Sequence, residues 1–545
     1  MPDRIQATKI LCEGGLNRNE NSFLLSSVSP GSAYSLINYE TNQSGGYRRI
    51  NGFAEYNSTY PEVTASAGDT AEGKVLGIWV FYSSASSDYE VIAARKLASG
   101  NTYKFYKLGV SGWTAFATGF THVYNTTIYR VRAEQFNFGD GNKIIFVDGV
   151  NKAVIYDGTN WKRLASTSAG GSGDPGGNQV LDSPVVVTVF KNHVFMAKGS
   201  IICYSAPADP YTWTVAAGGG QMIFHNEVIN IKPWRDQLFI FGSGAISQIK
   251  PYIDNNGDAT FLIESVTDNL GCIARDSIIE LAGNLLFLAP DGIRPVAGTD
   301  RVNDIELGLL SEAIQTIIND IIDDYDMQNI VAVDILSKTQ FRYFITDDGD
   351  TTGVSDAYGL IGCYRQNGTN GPLWEFMEMV GIRASCVWSG IVNNQELILH
   401  GDYNGKVYRQ ETGNTFDGTN IVAIYTTPYL DLGDTEIRKK MRKLNLFIKP
   451  EGSITMSLAV RYDWGDSNIL NPRDYIGISV SSSAKYDSGV KYDDGSVYGG
   501  ASVNKFSQNI EGSGFSVQFS IVTDGTSPPY TIQGFVPEFS VKGRD

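Results

Sequence analysis

IIFVDGVNKAVIYDGTNW, residues 144–161, places two apolar runs around Asp148-Gly149 and Asp157-Gly158 and ends on Trp161. Aspartate followed by glycine supplies the left-handed backbone that a tight turn needs, and the flanking β-branched and aromatic residues favour strands. The stretch therefore reads as a strand–turn–strand unit closed by a polar loop and an aromatic.

The same unit recurs along the chain. WRDQLFIFGSGAISQI (234–249) and GNLLFLAPDGIRPV (283–296) repeat its core, and VFKNHVFMAKGSIICYSAPADPYTW (189–213) carries it with a longer tail to Trp213. ELILHGDYNGKVYRQETGNTFDG (396–418) is a further copy, and FRYFITDDGD through GPLW (341–374) a stretched one. Hairpins recurring every ~40–60 residues match the length of a four-stranded blade. Radial packing of blades also leaves few open sheet edges. The expected fold is all-β: an irregular β-propeller, with tandem sandwiches as the alternative.

One segment departs from this period. In GLLSEAIQTIINDIIDDYD (308–326), Leu310, Ile314, Ile317, Ile318, Ile321 and Ile322 share a face at helical spacing. An amphipathic helix over about 309–323, N-capped by Ser311, is expected to pack its isoleucine face on a sheet; lining a pore or binding a partner is the sharper role. From about residue 420, KLNLFIKPEGSITMSLAVRYDW (443–464) and FSVQFSIVTD (515–524) lack both the helical period and the Trp-ending hairpins. That texture predicts an antiparallel β-sandwich. The chain thus divides into an N-terminal arm (1–45), a propeller-like domain (46–420) and a C-terminal sandwich (421–545). STSAGGSGDPGGNQ (166–179) reads as a Gly/Ser-rich surface loop.

The 545 residues carry a formal charge of -16 and a pI near 4.8, which argues against an electrostatic DNA binder. The five cysteines, at 12, 203, 272, 363 and 386, form no CxxC pair and no dense disulfide framework. They read as free buried thiols in a reducing compartment. MPDRIQATKI has no apolar h-region, and no run approaches the ~18 apolar residues of a membrane span. Synthesis and folding in a cytoplasm are the expectation.

Chemical motifs are sparse. His122, His193, His225 and His400 are unpaired at metal spacing, and each reads as a satisfied structural residue. The chain has no HExxH, GxSxG or GxxxxGK[ST] motif. DNNGD (254–258) starts like a calcium loop, but Gly257 falls two positions early and Glu264 one short of the closing ligand, so a polar turn is favoured. FGDGN (138–142) and DDGD (347–350) read as turns, and DGTNW (157–161) only faintly echoes the aspartate box of propeller glycosidases. Carboxylates that meet only in space leave no spacing signal, so a paired-carboxylate glycosidase stays open as an alternative. No catalytic residue, cofactor site or metal site is nominated.

Two basic clusters stand out in an acidic chain. RKKMRK (438–443) holds Arg438, Lys439, Lys440, Arg442 and Lys443. It reads either as a contact for an acidic surface or phosphate, or as a lysine-solvated strand edge. SGGYRRINGF (44–53) sets Arg48 and Arg49 between two glycines and an Asn-Gly turn.

EGGLNRNENSFLLSSVSPGSAYSLINYETNQSGGYRRINGF (13–53) resembles the N-terminal region of podovirus tail nozzle proteins, also called tail tubular, tail hub or packaged-DNA stabilisation proteins. The matching parts are Gly14-Gly15-Leu16, Asn38, Tyr47-Arg48-Arg49 and Asn51-Gly52-Phe53. PDGIRPV with the LSEAIQ helix and NIVAVDILSKTQFRYFI is similar to that family's late propeller. TTPYLDLGD through KKMRKL, with the ending YTIQGFVPEFSVKGRD, is similar to its C-terminal sandwich. The resemblance implies a non-enzymatic virion protein assembled in the host cytoplasm as a hexameric ring at the distal end of a short tail. Such a ring prolongs the DNA channel below portal and adaptor, retains packaged double-stranded DNA until ejection, and supports spikes or fibres. An acidic lumen would repel the duplex over ~8 Å at physiological salt, letting it slide without sticking. The alternative function is a glycan-binding or glycan-hydrolysing propeller. In either case Arg48 and Arg49 are expected at the junction where the arm enters the first blade, paired with nearby acidic groups or with groups across a subunit boundary. A phosphate clamp is the weaker reading.

Overall fold

The computed structural model describes residues 5–56, 73–83, 89–97, 100–110, 112–164, 180–253, 259–298, 305–306, 308–346, 357–368, 371–466, 468–480 and 503–541. The Gly/Ser-rich loop at 166–179, DNNGD and DDGD lie outside these residues.

The fold is an all-β propeller joined to a β-sandwich. Among the described residues six separate sheets form blades, each an antiparallel meander from the axis outward. The hairpin unit of residues 144–161 belongs to the second. Its strands Asn142–Val147, Val154–Tyr156 and Trp161–Arg163 follow one another outward from Arg132–Asn137. Asp157 Oδ1 accepts from the backbone N–H of Thr159 (2.9 Å) and Asn160 (2.7 Å), so the carboxylate itself templates the turn. Innermost strands Val75–Tyr82, Arg132–Asn137, Val186–Phe190 and Val228–Trp234 pack side by side, and Cys386–Val392 brings the ring back to Val75–Tyr82. Between the fifth and sixth of these sheets, the place of a blade is taken by the first four strands of a nine-stranded sheet, 331–380.

That long sheet continues through Ser35–Ile37, Ile421–Thr426, Val517–Gly525 and Ile454–Tyr462, becoming one layer of the C-terminal sandwich. An eight-stranded sheet built on Lys439–Pro450 and Tyr530–Val541 forms the other layer. Their facing side chains, among them Leu446, Phe535, Leu458 and Phe519, merge with the isoleucines of the helix into one core. The other neighbouring blades each share a smaller apolar cluster of their own.

The segment read as an arm is woven into this sandwich. Ile5–Ala7, Ile10–Leu11 and Tyr47–Arg49 pair with Tyr530–Val541, and Ser35–Ile37 bridges the propeller half and the sandwich half of the nine-stranded sheet. The chain then enters the propeller as Phe53–Glu55, the outermost strand of the last blade, paired with Val407–Gln410. The arm therefore reaches the last blade before the first.

The expected helix is a 3-10 turn, Glu312–Ile314, leading into Gln315–Asp324, with Ile314, Ile317, Ile318 and Ile321 buried on the sheet. Ser311 does not cap it. Its Oγ accepts instead from the backbone N–H of Ile293 at 3.0 Å, anchoring the helix start to the fifth blade. A second helix, Ser22–Val28, carries no signal in the sequence because the short SFLLSSV has no repeating face; Asn21 caps it through Leu24 N–H at 2.9 Å.

Phe53 makes the closure specific. It is buried, stacked on Phe416 at 5.1 Å and edge-on to Tyr408 and His400. Phe53→Ala should cost about 3–5 kcal/mol, read as a lowered urea midpoint; a change within about 0.5 kcal/mol would show that the closing strand does not hold the ring.

Candidate assembly site

The strand Tyr47–Arg49 lies between Tyr39–Thr41 and Tyr530–Val541, with Glu40 opposite Arg48. Gly46 precedes it at φ 91°, and a Cβ there would sit 2.4 Å from the Ile532 carbonyl oxygen. Only glycine lets the strand approach so closely.

The two arginines have opposite fates. Arg48 grips Glu451 with both prongs of its fork (Nε–Oε1 2.7 Å, Nη2–Oε2 2.9 Å) and reaches Glu40 Oε1 at 2.7 Å and Asn51 Oδ1 at 3.1 Å. Burial opposes its charge, but the Glu451 and Glu40 carboxylates outweigh that and hold the guanidinium above its ordinary value. Arg49 is 1% exposed and has no carboxylate partner among the described residues; it donates to the carbonyls of Asn414 (3.0 Å), Gly525 (3.1 Å) and Ser527. The expected acid pairing thus holds for Arg48. Arg49 pins loops of the last blade and the sandwich through backbone oxygens, and burial pushes its charge below the ordinary value.

Glu40 extends the Arg48 pair into a network. It accepts from Lys338 Nζ at 2.8 Å, Gln340 Nε2 at 3.2 Å and Arg342 Nη2 at 3.4 Å. Lys338 and Arg342 also bond Glu411, which takes a further 2.7 Å hydrogen bond from Asn51 Nδ2. Arg342 Nη1 reaches Gln410 Oε1 at 3.0 Å, and Gln410 Nε2 lies 3.3 Å from His400 Nδ1. Three cations (Arg48, Lys338, Arg342) thus meet three carboxylates (Glu40, Glu411, Glu451), drawn from the arm, two blades and the sandwich. Sequence reasoning missed Glu40, Lys338, Arg342 and Glu411; nearly 300 residues separate the first two, and no local pattern marks them.

The Gly14-Gly15-Leu16 element docks at the neighbouring edge. Gly15, at φ 65°, would place a Cβ 2.9 Å from the Phe376 backbone nitrogen. Its N–H donates to Tyr47 Oη (3.0 Å), which donates onward to the Gly31 carbonyl (3.0 Å). Gly14 N–H meets the fully buried Glu375 at 2.6 Å, and Arg365 joins Glu13 and Glu375. The separated pieces Gly14-Gly15, Tyr47-Arg48-Arg49 and Asn51 to Phe53 therefore form one joint.

The 438–443 cluster sits on the same eight-stranded sheet but at its other end. Lys440 pairs with Ser540 and Arg48 with Thr531, nine residues apart along one strand, or roughly 30 Å. Lys439–Pro450 is an interior strand, so the edge-solvation reading fails there. Lys439 is buried, donating to the carbonyls of Asp434 and Phe515, and burial pushes its ammonium below the ordinary value. Arg438 bonds Ser513, Arg442 bonds Ser540 Oγ at 3.3 Å, and Lys440 and Arg442 are exposed.

The propeller axis holds a cavity of about 390 Å³, crossed by charge. Arg132 forks onto Asp276 (2.8 and 2.6 Å), and Arg130 reaches Asp276 at 3.0 Å while donating to the carbonyls of Ser385, Gln328 and Ile330. Burial opposes ionisation of Asp276, yet Arg132, Arg130 and Arg275 outweigh it and keep the carboxyl well below its usual range. With Arg130 and Arg132 reaching Asp276 across it, a cavity this small leaves no passage for a DNA duplex along the axis. Among the described residues no group of three or more His, Cys, Asp or Glu side chains is arranged to hold a metal ion, and all five cysteines are free and buried. No helix among them is long and apolar enough to cross a membrane.

No family model and no curated protein matches the chain.

Arg342→Met would leave the buried Glu40 and the half-buried Glu411 with reduced compensation and should destabilise by about 3–5 kcal/mol in chemical denaturation; an unchanged midpoint would show the network to be dispensable. The acid response follows from Glu411. Burial opposes its ionisation, but Arg342 and Lys338 outweigh it and hold its folded-state pKa well below the unfolded one. Its contribution is therefore complete above pH ~4.3 and is lost as pH falls below that. Glu411→Gln should be less stable than the parent at neutral pH, with the gap narrowing by about pH 3; a gap independent of pH would remove the linkage.

Proposed function

We propose that this chain is a structural subunit of a short phage tail, forming the distal nozzle or hub ring below portal and adaptor. In this role it prolongs the DNA channel, retains the packaged genome, passes it at ejection and carries spikes or fibres. The observation that carries the reading is the joint between arm, propeller and sandwich. Residues on which the resemblance rests, scattered over 14–53, converge there: Tyr47 ties the arm to itself at Gly15 and Gly31, Arg48 ties it to Glu451 of the sandwich, and Glu40, bonded to Arg48, reaches Lys338 and Arg342 of the propeller half. A subunit that bears the pressure of packaged DNA needs its two bodies rigidly coupled, and a shared nine-stranded sheet with a charge-balanced network centred on the buried Glu40 and Arg342 supplies that coupling.

The charge distribution adds a constraint on mechanism. The axial cavity of one chain is small and bridged by Arg130 and Arg132, so DNA would run between subunits, along a wall formed by their surfaces. A net charge of -16 then favours weak contact with the duplex. No turnover is assigned to this role.

Quantitative mass spectrometry of purified particles should find about six copies per virion, in line with closed cyclic symmetry, and native mass spectrometry should find a ring of the same number. Absence of the chain from particles would overturn the assignment, and a count at a larger multiple of three would reassign it to trimeric spikes.

A further inference from the structure

The basic cluster at 438–443 is one end of a longer feature. Strand Lys439–Pro450 turns Met441, Leu444, Leu446 and Ile448 into the sandwich core. Alternation therefore sends Lys440, Lys443, Asn445, Phe447 and Lys449 to the outer face of the eight-stranded sheet. A bulge between Met441 and Lys443 adds Arg442 to that face, where it bonds Ser540 Oγ at 3.3 Å. On the neighbouring strand Asn504–Asn509, the exposed Lys505, Ser507 and Asn509 stand opposite Phe447, Asn445 and Lys443.

These cations are not consumed by the fold. Lys440 and Lys505 are exposed and Lys443 and Lys449 half-buried, and none of the four ammonium groups has a hydrogen-bond or ion-pair partner among the described residues. Glu538, opposite Lys443, shares the face but accepts from Asn445 Nδ2 at 2.7 Å. Beyond Lys449, Glu451 is already forked by Arg48. From Lys440 to Lys449 the stripe runs nine residues along one strand, or roughly 30 Å. The chain as a whole is strongly acidic, at -16. At physiological salt, however, exposed charges beyond ~8 Å are screened, so the stripe's own field governs what meets it.

The composition of the face selects among anionic partners. Contact surfaces between proteins are enriched in aromatic residues and arginine and depleted of lysine. Here lysine dominates, Phe447 is half-buried, and no exposed aromatic side chain lies on the face among the described residues. Single-stranded nucleic acid needs aromatic platforms for its bases, which this face lacks. Lysines interspersed with Ser507 and Asn509 are the groups that meet phosphate oxygens of a duplex.

We propose that the outer face of the eight-stranded sheet binds the phosphate backbone of duplex DNA, without regard to sequence, through Lys440, Arg442, Lys443, Lys449 and Lys505. The stripe spans nearly one ~34–36 Å turn of the double helix. About five phosphate contacts give weak, non-specific binding, with Kd on the order of 10⁻⁴–10⁻⁶ M at physiological salt. Such a contact holds DNA yet lets it pass, because no base is read. The proposal deepens the tail reading and rests on it for the setting, a channel wall, though not for the chemistry.

Fluorescence anisotropy of a labelled random-sequence duplex of about one to three helical turns, titrated with the full chain at several salt concentrations, tests the face. Binding should weaken with salt at a log–log slope of about -4 to -5 per bound chain. Lys440→Gln combined with Lys505→Gln, both at exposed positions, should keep the thermal midpoint, weaken binding at least tenfold at low salt and reduce the slope by about 2. No binding at low salt, or a slope that the folded double variant leaves unchanged, would overturn the proposal. If the duplex does not bind and the variant instead loses self-association in native mass spectrometry, the proposal is likewise overturned and the face belongs to contacts between copies of the chain. Absence of the chain from virions would remove the tail reading alone, since this binding is measured on the isolated protein.

Discussion

The pairing of Phe53–Glu55 with Val407–Gln410 is the contact on which the remaining architecture depends. A propeller is a ring of sheets, and a ring assembled from one chain must be joined somewhere. Here the join is made by a segment that has already run through both layers of the sandwich. Closing the last blade therefore also fixes the arm, and fixing the arm registers the sandwich against the propeller. The left-handed glycines and Tyr47 of the arm are explained by this constraint: the chain has to thread close to Phe376 and Ile532 before it reaches the blade.

Charge is used in the interior for the same end. Apolar packing is non-directional and would tolerate small slips between bodies; forked arginine bonds would not. Among the described residues, two dense networks lie where several elements meet: Glu40 with Arg48, Lys338, Arg342 and Glu411 at the joint, and Asp276 with Arg130 and Arg132 at the axis. Buried ion pairs add little net stability over apolar isosteres, but losing one partner is costly, so their placement here serves geometry. His122 shows the contrasting case, a buried polar side chain for which the described residues supply no partner.

Much of the fold was legible because its signals are local. Asp-Gly turns between apolar runs mark hairpins within a few residues, and the isoleucine period of 314–322 marks the helix face. The change of texture near 420 marks the sandwich. The capping role assigned to Ser311 failed because a tertiary donor, the Ile293 N–H, claimed its hydroxyl. The edge reading of 438–443 failed because strand order is set by partners 70 to 100 residues away. The pairing of Arg48 was anticipated in kind, while Arg49, one residue on, turned inward among carbonyls, as strand alternation requires of its neighbour.

Turn chemistry and hydrophobic period act over a handful of residues, so the all-β class, the repeating hairpins, one amphipathic helix and the change to a sandwich are written into the chain locally. Tertiary packing set which strand closes the ring, that propeller and sandwich share a sheet, which carboxylates meet which arginines, and that His122 is left unbonded among the described residues beside Tyr103 and Phe105. Those outcomes depend on contacts between residues far apart in the chain, for which spacing along the sequence carries no signal.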